Sequence, residues 1–360
     1  MAYYTNFSSP DFSTHVANPG NETKLNENLL AKLLSIHAPS KEEEPMITFI
    51  LEHINKTIPN VKINIDANKN IFITKGESAL YPCFVSHMDE VTSNTKESNR
   101  TIMKMNNVFI GMNKNTGKYA GCPGDDRVGV YICLEALAKY DNIKIAFFVE
   151  EEIGMKGSSA ADMNFFSDVM FVFEPDRRGN NEVINNTNGT DVFGDEFHEY
   201  IKSFMEEYNY KIGSGTATDV GVLAKNGLGV VSLNIGCGYY DAHSKEEKVC
   251  LTDVENCMNL LFKITDKSIA DNKRHEFVPP KKVYATTYGG TGYGSSNYSS
   301  RYNQNYYDEY DDYEGYRSYG NYYGRTKKKD LKVRKLSKDE EEIVKLTTSA
   351  KYWNLFKEQN

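Results

Sequence analysis

At 360 residues, with a formal net charge of −8 and a pI near 5.5, the chain can bury a substantial core in one large domain or two. That acidic balance excludes a general nucleic-acid binder, whose footprint is basic. No apolar stretch reaches the length of a membrane span, the first residues lack a basic start followed by an apolar core, and the six cysteines (Cys83, Cys122, Cys133, Cys237, Cys250, Cys257) form no CxxC pair, so a cytoplasmic protein with reduced thiols and no membrane association is expected.

Residues 1–24 are polar and read as a flexible extension. Residues 28–36 and 45–54 have helical apolar spacing, 70–74 read as a strand closed by Gly76, and 82–85 as a short apolar strand. A helix is predicted over 128–140, buried strands over 143–149 and 169–173, a helix over 197–208, a strand over 229–235 and a closing helix over 253–265. Continuous apolar strands alternating with helices predict an α/β three-layer sandwich with a mostly parallel mixed central sheet and helices on both faces.

Beyond residue 268 the composition changes. Residues 269–330 form a low-complexity linker rich in Tyr, Gly, Asn and Ser, in which residues 284–323 hold about half of the chain's 25 tyrosines and almost no aliphatic side chain. Such a segment cannot offset the entropy of ordering, and its plain reading is a solvated linker. Residues 331–360 contain an amphipathic helix opened by Ser337 and Glu340 in capping-box spacing. This helix and the Tyr-rich segment are the expected attachment points for any protein partner. No nucleic acid is expected on the core. The basic run Arg325-Thr326-Lys327-Lys328-Lys329 with the nearby tyrosines offers at most a weak accessory contact.

Five acidic or histidine clusters follow one another between Ser86 and Ser244. They are Ser86-His87-Met88-Asp89, Gly124-Asp125-Asp126, Glu150-Glu151-Glu152, Glu174-Pro175-Asp176 and Asp241-Ala242-His243-Ser244. Taken singly, most have an ordinary explanation. A His-x-Asp pair is more often structural, an Asp-Asp before a helix is more often an N-cap, and Asp176 beside Arg177 and Arg178 fits a strand-end turn. The Glu triplet is different, because three carboxylates at the end of a buried strand repel one another without cations. Four of the five clusters stand at or just after a predicted strand's carboxyl end, where α/β sheets build their sites. Two imidazoles and several carboxylates gathered there form the ligand set of a two-metal hydrolytic centre.

The order of these motifs resembles the co-catalytic zinc peptidase clan that includes the M20, M28 and M42 metallopeptidase families. Gly124-Asp125-Asp126-Arg127-Val128-Gly129, Glu151-Glu152-Ile153-Gly154-Met155-Lys156-Gly157, Thr218-Asp219-Val220-Gly221, Tyr240-Asp241-Ala242-His243-Ser244 and Asp253-Val254-Glu255-Asn256 are most similar to the M42 glutamyl-aminopeptidase branch. The resemblance covers residues 25–268 and implies a zinc-aminopeptidase-like fold. It implies that His87 and Asp176 hold one metal, Glu152 and His243 the other, and Asp125 bridges them. Asp89 would orient His87 and Glu151 would be the general base. The implied cofactors are two divalent ions, zinc by preference, with cobalt or manganese as substitutes. The spacings leave no room for an M42 insertion between His87 and Asp125 or an M20 lid between Asp176 and His243, so a bare catalytic core is expected.

The leading expectation is therefore an aminopeptidase acting on short peptides. Its runner-up is an amidohydrolase that deacylates N-acyl amino acids with the same centre. A third reading, from a different class, is an inactive scaffold that recruits partners through the Tyr-rich tail. That reading calls for a lost ligand, and none is missing.

Overall fold

The computed structural model describes residues 22–91 and 99–280. The expectations for residues 1–21, for 281–330 of the Tyr-rich segment with its basic run, and for the C-terminal helix fall outside the described residues, whereas residues 269–280 of the expected linker are described, with a helix running to Ala270 and His275 buried. Two helices open the chain, α1 (Glu27–Ser35) and α2 (Glu44–Thr57). Asn26 caps α1 by accepting the Leu29 N–H, and Pro45 stands in the first turn of α2. An antiparallel pair, β1 (Val61–Ile65) and β2 (Ile71–Lys75), leads into β3 (Tyr81–His87). After β4 (Arg100–Met105) and β5 (Val108–Asn113) come α3 (Gly124–Lys139), β6 (Ile143–Phe148), the short α4 (Lys156–Ser159) and β7 (Val169–Arg177). The remainder comprises β8 (Glu182–Thr187), β9 (Thr190–Asp191), α5 (Asp195–Glu207), β10 (Lys211–Gly215), α6 (Asp219–Lys225), β11 (Ser232–Gly236), β12 (Tyr239–Tyr240), β13 (Lys248–Cys250) and α7 (Leu251–Ala270).

The main sheet runs β1-β2-β6-β3-β7-β11-β8-β10, with β9 beside β8. Its centre, β6-β3-β7-β11, is parallel, whereas β1, β2, β8 and β9 introduce antiparallel pairings toward the edges. The sheet is thus mixed, with the parallel strands where burial is deepest.

Strand alternation divides the core into two layers. Phe84, Ile145, Phe147, Phe171 and Phe173 point into a large cluster with α1, α2, α3, α5 and α7. Their neighbours Cys83, Val85, Ala146, Phe148 and Val172 point the other way, onto Val220 and Leu223 of α6 and onto Phe166. Each central strand is buried on both faces, which is why the sequence shows unbroken apolar runs there. The three-layer α/β expectation holds.

A second sheet of four strands, β12-β13-β5-β4, was not anticipated. It joins the chain between His87 and Asp125 to the segments flanking His243. The expectation of a bare core is corrected to that extent, since the short 87–125 interval carries a hairpin completed from distant sequence. Among the described residues no helix is long and apolar enough to cross a membrane, and all six cysteines are buried free thiols.

Candidate metal centre

The clusters meet beyond the carboxyl ends of the central parallel strands. His87 is the last residue of β3, Glu150-Glu151-Glu152 follow β6, and Asp176 stands one residue before the end of β7. His243 arrives from the second sheet, in the connection between β12 and β13. The backbone there is held in the left-handed region at Asp241 (φ 55°) and His243 (φ 62°), and likewise at Glu150 (φ 55°). Non-glycine residues occupy that region at some cost, and such positions concentrate at functional sites.

The Asp125-Asp126 pair divides its labour. Both lie at non-helical dihedrals at the start of α3. Asp126 is the cap: its Oδ1 accepts the Gly129 N–H at 2.9 Å and its Oδ2 the Ser86 hydroxyl at 2.6 Å. Asp125 is left to face the centre. Its Oδ1 lies 3.1 Å from His87 Nε2 and its Oδ2 lies 3.2 Å from His243 Nε2. One carboxylate therefore addresses both imidazoles, one oxygen to each.

Around it stand two groups whose donor atoms all lie within 4.8 Å of one another, His87 with Asp125 and Asp176, and Asp125 with Glu152 and His243. His87 Nε2 is 3.7 Å from Asp176 Oδ1, and His243 Nε2 is 3.0 Å from Glu152 Oε1. All five proposed ligands are thus brought together, and Glu151 lies outside both groups. Asp89, fully buried, has its Oδ1 3.3 Å from His87 Nδ1, a close electrostatic contact not aligned as a hydrogen bond.

The charge balance tests whether cations suit this donor set. Burial, reinforced by Asp125, pushes the Glu152 carboxyl up to about 7 and that of Asp176 up to about 6. Burial raises Glu151 well above the carboxylate range, with Asp219, Asp176 and Glu152 adding to it against His87. Although burial opposes it, the carboxylates of Asp125 and Glu152 drive the His243 imidazole up to about 12. Burial likewise opposes protonation of His87, and Asp176, Asp125 and Asp89 overcome it. Protons on these groups therefore serve as counter-charges in a site with too many carboxylates. Divalent cations do the same more effectively and release the imidazole nitrogens as ligands. The donor set suits divalent cations.

Supporting side chains that sequence reading missed surround the centre. Tyr239 donates its hydroxyl to Asp176 Oδ1 at 3.2 Å, and Thr218, which donates to Glu174 Oε2 at 2.7 Å, has its hydroxyl oxygen 3.3 Å from Asp176 Oδ2. The buried Glu247 accepts the Asp125 N–H at 3.1 Å. Arg127, fully buried, donates to the carbonyls of Met88 at 2.7 Å and Asp89 at 3.3 Å, fastening α3 to the end of β3. Asp219 accepts from Ser158, and Asp253 holds Tyr240 and Asn180, steadying the stretch that leads to His243. Tyr239, Arg127, Asp219 and Asp253 all lie in or beside quoted motifs. Nothing local marks Glu247.

Comparison with known proteins agrees with this geometry. Residues 98–260 match the family model of M42 glutamyl aminopeptidases. That stretch, a little under half of the chain, resembles M42 metallopeptidases. No curated protein matches the chain by sequence. The crystal structure of the aminopeptidase PepT from Bacillus cereus is similar at 13% identity and a TM-score of 0.56, covering 66% of this chain and 98% of that one. An aminopeptidase from the archaeon Desulfurococcus kamchatkensis has 20% identity and a TM-score of 0.53 over 66% of this chain and 93% of its own. A tripeptidase from Staphylococcus aureus has 12% identity and a TM-score of 0.53 over 67% and 98%. At such identities these structures speak for a shared fold.

Proposed function

We propose that this chain is an aminopeptidase acting on short peptides through a centre of two divalent cations, zinc by preference with cobalt or manganese as substitutes. The observation that carries the reading is the pair of three-residue groups sharing Asp125, one carboxylate oxygen toward each imidazole. In this reading His87 and Asp176 would hold one ion, Glu152 and His243 the other, and Asp125 would serve both. Cations held there supply Lewis acidity, polarising a scissile carbonyl and making water more acidic. Glu151, next to the ligands but not among them, takes the proton of the attacking water on a carboxylate oxygen and returns it to the leaving amine. Asp89 keeps the His87 ring oriented from its Nδ1 side.

A cavity of about 10 Å³, room for a single water, lies beside Asp125, Glu152 and His243. Glu90, Arg100 and Glu247 also line it. Arg100 is already committed to Glu90 at 3.0 Å and to the Leu34 carbonyl at 3.3 Å. An inactive scaffold is disfavoured by the completeness of the ligand groups. With buried free thiols, a cytoplasmic setting suits the chain.

The test is metal analysis together with hydrolysis of aminoacyl-p-nitroanilides and N-acyl amino acids by wild type and Glu151→Gln. Two ions per chain are expected in both proteins, with kcat lower by roughly 10²- to 10⁴-fold in the variant. Stoichiometry well below two, or activity indifferent to Glu151, refutes the mechanism. Cleavage confined to acylated substrates moves the assignment to a deacylase.

A further inference from the structure

Asp89 does more than face His87. Its Oδ1 also accepts the Glu151 N–H at 3.0 Å, and its Oδ2 accepts the Glu152 N–H at 3.2 Å. One carboxylate thereby sets the path of the turn that presents Glu151 on one side and Glu152 on the other. Its remaining donor is the Ser40 hydroxyl, 2.7 Å from Oδ2 and the shortest of these contacts. Ser40 is buried and comes from the connection between α1 and α2, far away in sequence.

That connection is itself fastened to both halves of the centre. The Ser40 N–H donates to the Glu90 carbonyl at 3.3 Å, and the Glu90 N–H donates to the Ala38 carbonyl at 3.1 Å. Glu43, also buried, accepts the Lys41 N–H at 2.9 Å and the Glu150 N–H at 3.2 Å through the same Oε1. The 38–43 segment therefore touches the strand end that carries His87 and the turn that carries the Glu pair. A carboxylate with donors on both oxygens is restrained from rotating, and restraint of this kind behind metal-binding residues commonly governs affinity.

We infer that Ser40 is a positioning residue of the metal centre, acting through Asp89 to hold His87, Glu151 and Glu152 in register for cation binding. The inference rests on the two-cation reading given above. A hydroxyl that served only local packing would lower thermal stability without altering how the folded chain binds metal. The positioning role predicts a change in metal affinity itself.

The experiment is calorimetric titration of zinc into metal-free wild type, Ser40→Ala and Ser40→Thr, with Tm recorded with and without zinc. Ser40→Ala is expected to bind roughly 10- to 100-fold more weakly, whereas Ser40→Thr, which keeps the hydroxyl, stays close to wild type. If Ser40→Ala is too unstable without metal for titration, the zinc-induced rise in its Tm reads the same affinity and is expected to shrink. Wild-type affinity and stoichiometry in Ser40→Ala overturn the inference, as does a Thr variant as weak as the Ala variant. A wild-type chain that does not take two ions refutes the proposed centre, and this inference with it.

Discussion

Gly129 tests how tightly the head of α3 is built, and Gly129→Ala is the informative perturbation. A Cβ at this position would lie 2.2 Å from Asp126 Oδ2 and 2.4 Å from Oδ1. The carboxylate cannot simply swing aside, because it holds the Ser86 hydroxyl at 2.6 Å and the Gly129 N–H at 2.9 Å in a site with no solvent exposure. Displacing it strands two buried donors, each costing about 1–3 kcal/mol. The gain from replacing a helical glycine by alanine offsets about 1 kcal/mol of this. The net loss is about 3 kcal/mol, or roughly 6–12 °C in Tm for a domain of this size. Gly117 provides the control: it has φ +65° but nothing within 4 Å of an added Cβ, so Gly117→Ala should cost only the backbone strain, about 1 kcal/mol. Urea or thermal unfolding of both variants measures the difference. A Gly129→Ala protein as stable as the Gly117→Ala protein would show that the Asp126 carboxylate is free to move, and the account of α3 as a tightly capped support for Asp125 would fail.

Two further outcomes are expected. His275 is buried among Phe197 and Tyr200, with Nε2 3.0 Å from Ser268 Oγ, and burial together with Lys273 depresses its imidazole from 6.5 to about 4. The folded chain thus keeps His275 neutral while the unfolded chain takes up a proton near 6.5. Stability is full above that pH, falls between 6.5 and about 4, and levels off below, by at most about 3 kcal/mol. In His275→Phe the acid-side slope of Tm against pH should flatten, and an unchanged slope assigns the acid sensitivity elsewhere. Chelation gives an independent check on the centre. At free metal 100-fold above its Kd, binding contributes about 2.7 kcal/mol, so EDTA should lower Tm by roughly 5–11 °C and zinc should restore it. A Tm that responds to neither reagent means that the folded chain holds no such ions.

Much of the architecture was legible because the central strands are buried on both faces. Two-sided burial demands unbroken apolar runs, and 143–149 and 169–173 show them plainly. Strands at the margins were harder. Val61–Ile65 is largely exposed along one edge, and Lys211–Gly215 contains two glycines, so neither carries a strong pattern. The second sheet escaped notice for a related reason. Its strands are short, and β13 contributes only Lys248–Cys250, whose pairing with β5 depends on chain more than 130 residues away. The plain N-cap reading of Asp125-Asp126 was half right, since Asp126 caps and Asp125 does not. The motif resemblance singled out Asp125, whereas residue type alone does not tell two adjacent aspartates apart.

By itself, the sequence determined the fold class and the five clusters whose imidazoles and carboxylates meet at the candidate centre, because metal-binding chemistry requires particular residue types and parallel sheets place them at strand ends. The tertiary structure decided which oxygen of Asp125 faces which histidine, and that Asp89 grips both amides of the Glu pair. It also decided that Ser40, Tyr239 and Glu247 stand behind the centre. These residues act through one or two hydrogen bonds to distant chain. Such contacts leave no periodicity and no motif, and they exist only once the layers have packed.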